Sequence, residues 1–231
     1  MRNKTDRICS GIIGLDALTQ GGFKKKSINL VVGGAGSGKT ILAIQFLVEG
    51  IKRGEPGIYI TFEEKKEKLY EDMAMFGWDL AKYEKENKLF FLEYTPEQVK
   101  NVLVEGGGEI ETIIENKKVK RLVIDSISSF ALLYEDELTK KEASLELFKL
   151  IDKWDCTAIL TSQAQGTDDL ITAELGFEVD GIMLLYYIKI LGKRTRGLEI
   201  LKMRGTKHPL TTYIFDITNK GMTITNKILK K

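Results

Sequence analysis

The sequence predicts an α/β fold with a mainly parallel central sheet, helices flanking it, and an antiparallel β meander at the C-terminal end. Three observations predict it. Short β-branched and aromatic runs alternate with helical stretches, a glycine cluster separates one early apolar run from a helix, and after about residue 178 strand-like runs follow each other with only short gaps. With 231 residues and 43% hydrophobic content, the chain is long enough for one well-packed core, and a single domain over 1–231 is expected.

The first buried strand is Ile28–Val32, which runs into glycines. Over 39–54, Ile41, Ile44, Leu47, Val48 and Ile51 recur at helical spacing and predict an amphipathic helix. The alternation then repeats: GIYITF (57–62) precedes a charged helical stretch from near Lys65, and KLFFLE (88–93), RLVIDS (121–126) and TAILTS (157–162) read as further strands. Gly106-Gly107-Gly108 predicts a flexible loop within a helical region. The meander is read from 179–190, 195–204, 211–217 and 221–225, with Gly192-Lys193-Arg194 as a hairpin tip and the closing KILKK as a solvated tail.

Charge is nearly balanced, 35 Lys+Arg against 33 Asp+Glu for a net +2, so the overall field proposes neither a nucleic-acid nor a membrane partner. No apolar run reaches the roughly eighteen residues of a membrane span, the N-terminus lacks the apolar core of a secretion signal, and Cys9 and Cys156 have no metal-ligand spacing. A cytoplasmic protein with reduced thiols is expected, with Cys156 packed at a strand start.

Gly33-Gly34-Ala35-Gly36-Ser37-Gly38-Lys39-Thr40 matches G-x-x-x-x-G-K-[ST] between a buried strand and an amphipathic helix. Backbone N–H groups of Gly34 through Ile41 would cradle phosphates at the helix N-terminus, Lys39 would bridge the β- and γ-phosphates of ATP, and Thr40 would offer its hydroxyl to Mg²⁺. Asp125, ending the apolar run LVID, supplies a second acid to the metal shell, with Ser126 beside it. YITFEE is read as a strand ending in Glu63 and Glu64, whose side chains alternate. Glu63 is assigned to the attacking water and Glu64 to its support. Ser162 and Gln163 end another strand, where an amide could feel the γ-phosphate or simply form a turn.

Two positions apart, Lys202 and Arg204 share one strand face while Met203 points to the core. Such a pair can neutralise a developing phosphate charge, and its sequence distance from the glycine loop permits supply by a neighbouring chain.

Together these residues resemble the RecA-like ATPases, and more closely the KaiC family. The resemblance runs through SGIIGLDALTQGGF, the phosphate loop, FEE, FGWDL, VDGIMLL, KMRGTKH and DITNKG. It implies a RecA-like P-loop NTPase in a head-to-tail homo-oligomer, a hexamer, with Lys202, Met203 and Arg204 reaching the neighbour's γ-phosphate. It also implies nucleotide contacts at Thr206 and His208, and near the adenosine at Thr218 and Asn219, where Asn219 stands in place of the usual acid. Ile13 stands where the family usually has proline, a difference that touches only the local turn. Neither SISSF nor Thr139 is assigned as a phosphorylation site.

The leading reading is an ATPase that hydrolyses ATP·Mg²⁺ slowly at sites shared between subunits and signals to or remodels a protein partner. A recombinase-like binder of single-stranded DNA is the alternative, but SSFALLYEDELTKK and GTDDLITAE are acidic where such loops should be basic. A third reading is a nucleotide sensor or scaffold that makes no use of Glu63.

Overall fold

The computed structural model describes residues 6–95, 97–98, 101–102, 106, 108–131, 134, 136–163, 176–190 and 192–229. A short antiparallel pair, β1 (Arg7–Ile8) and β2 (Phe23–Lys24), brackets the one-turn helix α1 (Leu15–Leu18). The main elements then follow as β3 (Ile28–Gly33), α2 (Lys39–Lys52), β4 (Gly57–Thr61), α3 (Lys66–Ala74), α4 (Leu80–Lys85), β5 (Leu89–Glu93), α5 (Gly108–Lys117) and β6 (Arg121–Asp125). After these come α6 (Ile127–Ala131), α7 (Glu137–Lys153), β7 (Thr157–Gln163), β8 (Gly181–Ile190), β9 (Lys193–Met203), β10 (Tyr213–Thr218) and β11 (Gly221–Ile228).

Nine strands form one sheet in the order β11-β10-β9-β8-β3-β7-β6-β4-β5. From β8 through β5 every pairing is parallel, whereas β8, β9, β10 and β11 join as antiparallel neighbours. The parallel strands are mostly apolar because helices cover both faces, and strand parity sorts their apolar side chains into two cores. Val31, Tyr59, Val123 and Ile159 face α2, while Leu30, Val32, Ile58, Ile60, Leu122, Ile124 and Leu160 face α5 and α7.

Several predicted boundaries move. β4 stops at Thr61, two residues before Glu63, because the Thr61 hydroxyl accepts from the N–H groups of Glu63 and Glu64 at 3.3 and 3.2 Å and turns the chain out of the sheet. Gly108 opens α5 instead of lying in a loop, and Lys193 and Arg194 belong to β9, which leaves a shorter hairpin tip. Of the closing KILKK, Lys227 and Ile228 end β11 and the Leu229 N–H bonds the Thr212 carbonyl at 2.8 Å, so the meander runs further than the pattern shows. The acidic loop GTDDLITAE lies outside the described residues.

A β-bulge in β9 was not visible in the sequence. Ile182 pairs with Lys202 but Met183 pairs with Ile200, so Leu201 is the extra residue and is 48% exposed. The insertion reverses the parity of the strand end, moving the buried positions from Leu198 and Ile200 to Met203. Lys202 and Arg204 are thereby kept out of the core.

At the N-terminal ends of the parallel strands, the same end as Met203, Arg121 is fully buried at the start of β6. Its Nη1 donates to the carbonyls of Cys9 and Phe46 at 2.8 and 2.7 Å, and its Nε donates to Glu55 Oε2 at 2.8 Å. Nη2 lies 2.7 Å from the same carboxylate oxygen as an ion pair without directed hydrogen-bond geometry. The guanidinium also stacks 4.6 Å over the Phe46 ring, and it approaches Gly50 so closely that a Cβ there would lie 2.4 Å from Arg121 Cδ. One cation therefore ties the N-terminal segment, α2 and β6 together.

Candidate functional site

The glycine loop leaves β3 at Gly33, which sits between Gln163 of β7 and Leu185 of β8. A Cβ on Gly33 would lie 2.5 Å from Ser37 Oγ and 2.6 Å from the Leu185 carbonyl, so only glycine fits. Gly36 and Gly38 take φ of 74° and 100° and swing the loop into the N-terminus of α2. Lys39 Nζ donates to the carbonyls of Gly33 and Gly34 at 2.7 and 3.1 Å, so the ammonium is held over the loop. Burial pulls its pKa below the ordinary lysine value, while the Asp125 and Glu63 carboxylates pull the other way.

Asp125 is the polar hub. Parity puts it on the same face as Val123, toward α2, and Tyr59 and Thr161 from the flanking strands point the same way. Its Oδ2 accepts from the Thr40 and Tyr59 hydroxyls at 2.8 Å each, and its Oδ1 accepts from the Thr161 hydroxyl. The three donors satisfy a carboxylate in a low-dielectric position. Burial and the neighbouring Asp125 charge hold the Tyr59 phenol well above its usual pKa, so it stays a donor. Tyr59 and Thr161 were missed in the sequence because they look like ordinary strand residues until the register places them beside Asp125.

Glu63 and Glu64 diverge beyond the strand. Glu63 accepts from the Ser129 hydroxyl of α6, which lies 3.2 Å from Ser126 Oγ. Glu64 is half-buried, its Oε2 has no hydrogen-bond partner among the described residues, and desolvation, then Asp125 and Asp72, push its pKa up. Ser162 Oγ lies 3.2 Å from Ser128 Oγ, and the Gln163 N–H donates to Ser128 Oγ at 2.8 Å, so the end of β7 is fastened to α6 beside the loop.

A second missed cation stands here. Arg196, opposite Tyr187 in the β8–β9 pairing, has its Nε 3.4 Å from the Gly36 carbonyl and its guanidinium 4.7 Å over the Tyr187 ring. Only the hairpin register brings it to the loop. The β10–β11 turn holding Thr218 and Asn219 is on this side as well, since Ile217 and Met222 are the side chains a Cβ on Gly38 would meet at 3.1 and 3.2 Å. Ile41 is in the first turn of α2.

The remaining predicted residues gather elsewhere. Met203 pairs with Gly181, which pairs with Asn29 at the start of β3, four residues and about 13 Å of strand from Gly33. Lys202 Nζ donates to the carbonyls of Gly176 and Val179 at 2.6 and 2.7 Å, and Arg204 donates to the carbonyl of Phe177. Thr206 Oγ1 accepts from Arg7 at 2.7 Å, and His208 Nδ1 lies 3.1 Å from the Pro209 carbonyl. Lys202, Arg204 and Thr206 are thus at the far end of the sheet from their own glycine loop, whereas the contact of His208 is local to its own turn.

Triphosphate and Mg²⁺ suit the near site. The buried Ser37 Oγ and Glu64 Oε2 lack partners among the described residues, and the side chains around Asp125 offer oxygen alone. Among the described residues no group of three or more His, Cys, Asp or Glu could hold a metal by itself. The Thr40 hydroxyl and the Asp125 carboxylate, in contact, are the one or two protein oxygens that Mg²⁺ takes when phosphate and water complete its shell.

A phosphate loop after β3, an acid two strands away at the end of β6 and the intervening β7 make this a RecA-like P-loop NTPase. The family model described as "ATPase: KaiC" matches residues 8–228, and the chain belongs to that family. It is 33% identical to a UPF0273 protein of Pyrococcus horikoshii over 98% of this chain and 97% of that one. It is also 34% identical to the circadian clock oscillator protein KaiC of Synechococcus elongatus, over 92% of this chain but 43% of that protein. The crystal structure of a KaiC-like protein from Pyrococcus horikoshii superposes with a TM-score of 0.84 at 36% identity, covering 95% of this chain and 98% of that one.

Proposed function

We propose that the chain binds ATP·Mg²⁺ at Gly34–Ile41 and hydrolyses it slowly at a site completed by Lys202 and Arg204 of a neighbouring copy in a head-to-tail ring. The observation that carries this reading is that the pair lies at the opposite end of β3 from its own glycine loop, so one chain cannot bring the two together. The same end exposes Phe177 (77%), a large apolar side chain suited to a partner surface.

In this reading Lys39 exchanges its loop carbonyls for phosphate oxygens. Thr40 and Asp125 hold Mg²⁺, which supplies charge neutralisation to the phosphates when bound. Glu63, released by Ser129, orients the attacking water, and Glu64 supports Glu63. Gln163 and Arg196 face the phosphate end, Thr218 and Asn219 the nucleoside, and the neighbour's Lys202, Arg204, Thr206 and His208 close over it, while the Met203 side chain, expected at the nucleotide, stays in its own core. Without an engaged cation from a neighbour, P-loop hydrolysis is slow, so assembly sets the rate. A cytoplasmic location and a protein partner that reads the nucleotide state belong to the same proposal. Among the described residues no helix is long and apolar enough to cross a membrane.

Mixing two inactive variants tests it. Lys39→Ala and Arg204→Ala each lose phosphate release, and an equal mixture recovers about a quarter of the wild-type rate, because a neighbour pair with both intact parts forms at that frequency in random assembly. An inactive mixture, from variants that each still assemble, refutes the shared site.

A further inference from the structure

Two basic runs 90 residues apart in sequence, Lys24–Lys26 and Lys117–Lys120, converge on a concave pocket of about 570 Å³ at the N-terminal ends of β4, β6 and β7. This is the end of the sheet opposite the glycine loop. Lys25, Lys26, Lys117, Lys118 and Lys120 all line the pocket, in a chain whose total charge is only +2. Its two acids are already engaged, Asp155 by Lys26 at 2.6 Å and Glu55 by the buried Arg121 at 2.7 Å. Among the described residues the other four lysines have no carboxylate partner.

Lysines at helix C-termini often serve only to offset the helix dipole. That accounts for Lys117, which ends α5, and for Lys118 just after it. It does not account for Lys25 and Lys26, in the β2–β3 connection, or for Lys120, which enters β6. Lys26 and Lys118 also hold φ of 58° and 53°, a left-handed conformation that Gly or Asn adopts more readily. Charge is therefore kept where the backbone favours a smaller residue. The Thr157 hydroxyl, which also lines the pocket, accepts from the Lys26 N–H at 3.0 Å and fixes that turn.

We infer that this pocket is a second anion site, separate from the glycine loop, for a small molecule bearing several clustered phosphates. Its volume lies within the range of about 300–1,000 Å³ typical of small-ligand pockets. Clustered ammonium groups on flexible stems bind phosphates as point charges. Ile8, Pro56 and the lysine stems give the pocket apolar walls, and the ammonium groups supply its charge.

Calorimetric titration of the full chain with tripolyphosphate tests the site. One binding event should persist in Lys39→Ala, weaken about tenfold or more in Lys117→Ala/Lys118→Gly/Lys120→Ala, and be unchanged in the charge-matched surface control Lys82→Ala/Lys85→Ala/Lys88→Ala. Circular dichroism confirms that each variant is folded, and Lys118→Gly suits its backbone. Three results overturn the inference: no binding in Lys39→Ala, equal weakening in pocket and control variants, or hexaglutamate binding at the pocket more tightly than tripolyphosphate.

Discussion

Asp125 takes hydroxyl hydrogen bonds from three different elements, and each donor has a different use. Thr40 belongs to the phosphate loop and would turn toward Mg²⁺, whereas Tyr59 and Thr161 fix the carboxylate from the flanking strands. Removing such a supporting donor typically weakens a metal site by about 10–100-fold. Tyr59→Phe, which keeps the ring stacked on Phe91, should therefore raise the Mg²⁺ concentration for half-maximal phosphate release about tenfold at unchanged fold. An unchanged Mg²⁺ requirement would show that Tyr59 serves packing alone. Arg121 makes a prediction about stability instead. Arg121→Ala strands the Cys9 and Phe46 carbonyls and the Glu55 carboxylate, and should lower the unfolding free energy by about 3 kcal/mol in urea titration.

Among the elements, the bulge in β9 has the largest consequence for the site. Lys202 and Arg204 lie outside the core because Leu201 is left out of the pairing. Deleting Leu201 removes the unpaired residue and leaves Ile200, Lys202 and Met203 in regular alternation, so Met203 stays in the core and Lys202 and Arg204 keep their outward face. Phosphate release should then persist, and a loss as deep as in Arg204→Ala would show that the local twist of the bulge is itself needed to aim the pair. The sequence made the result of this bulge legible but not its cause. Met203 reads as buried by type, yet the inserted Leu201 carries no signature when the residues around it include the equally apolar Ile200 and Met203. The same holds for the site as a whole. The glycine loop and Asp125 were legible because each sits at a strand end with distinctive chemistry, and the acidic pair because two adjacent carboxylates follow an apolar run. Tyr59, Thr161 and Arg196 were not, since their roles come from cross-strand register alone. The end of β4 was misplaced because the Thr61 hydroxyl captures two N–H groups that the sheet would otherwise use, a competition invisible to hydropathy.

At the scale of the whole molecule, the alternation of strands and helices gave the parallel core, and the short gaps after residue 178 gave the meander, because hydropathy period and turn length record both faces of a sheet. The nine-stranded order was not legible, as β3 lies between β7 and β8 and both arrive more than 120 residues later in the chain. That order puts the glycine loop at one end of β3 and the cation pair at the other, which gives the molecule a direction. In the proposed assembly each copy resembles a tile with one recessed edge and one projecting edge. An open row of such tiles always has one recess unfilled and one projection idle, whatever its length, and a closed row has neither. Closure then makes every position equivalent, and a single copy with a blunted projection disables its neighbour's recess while its own continues to work.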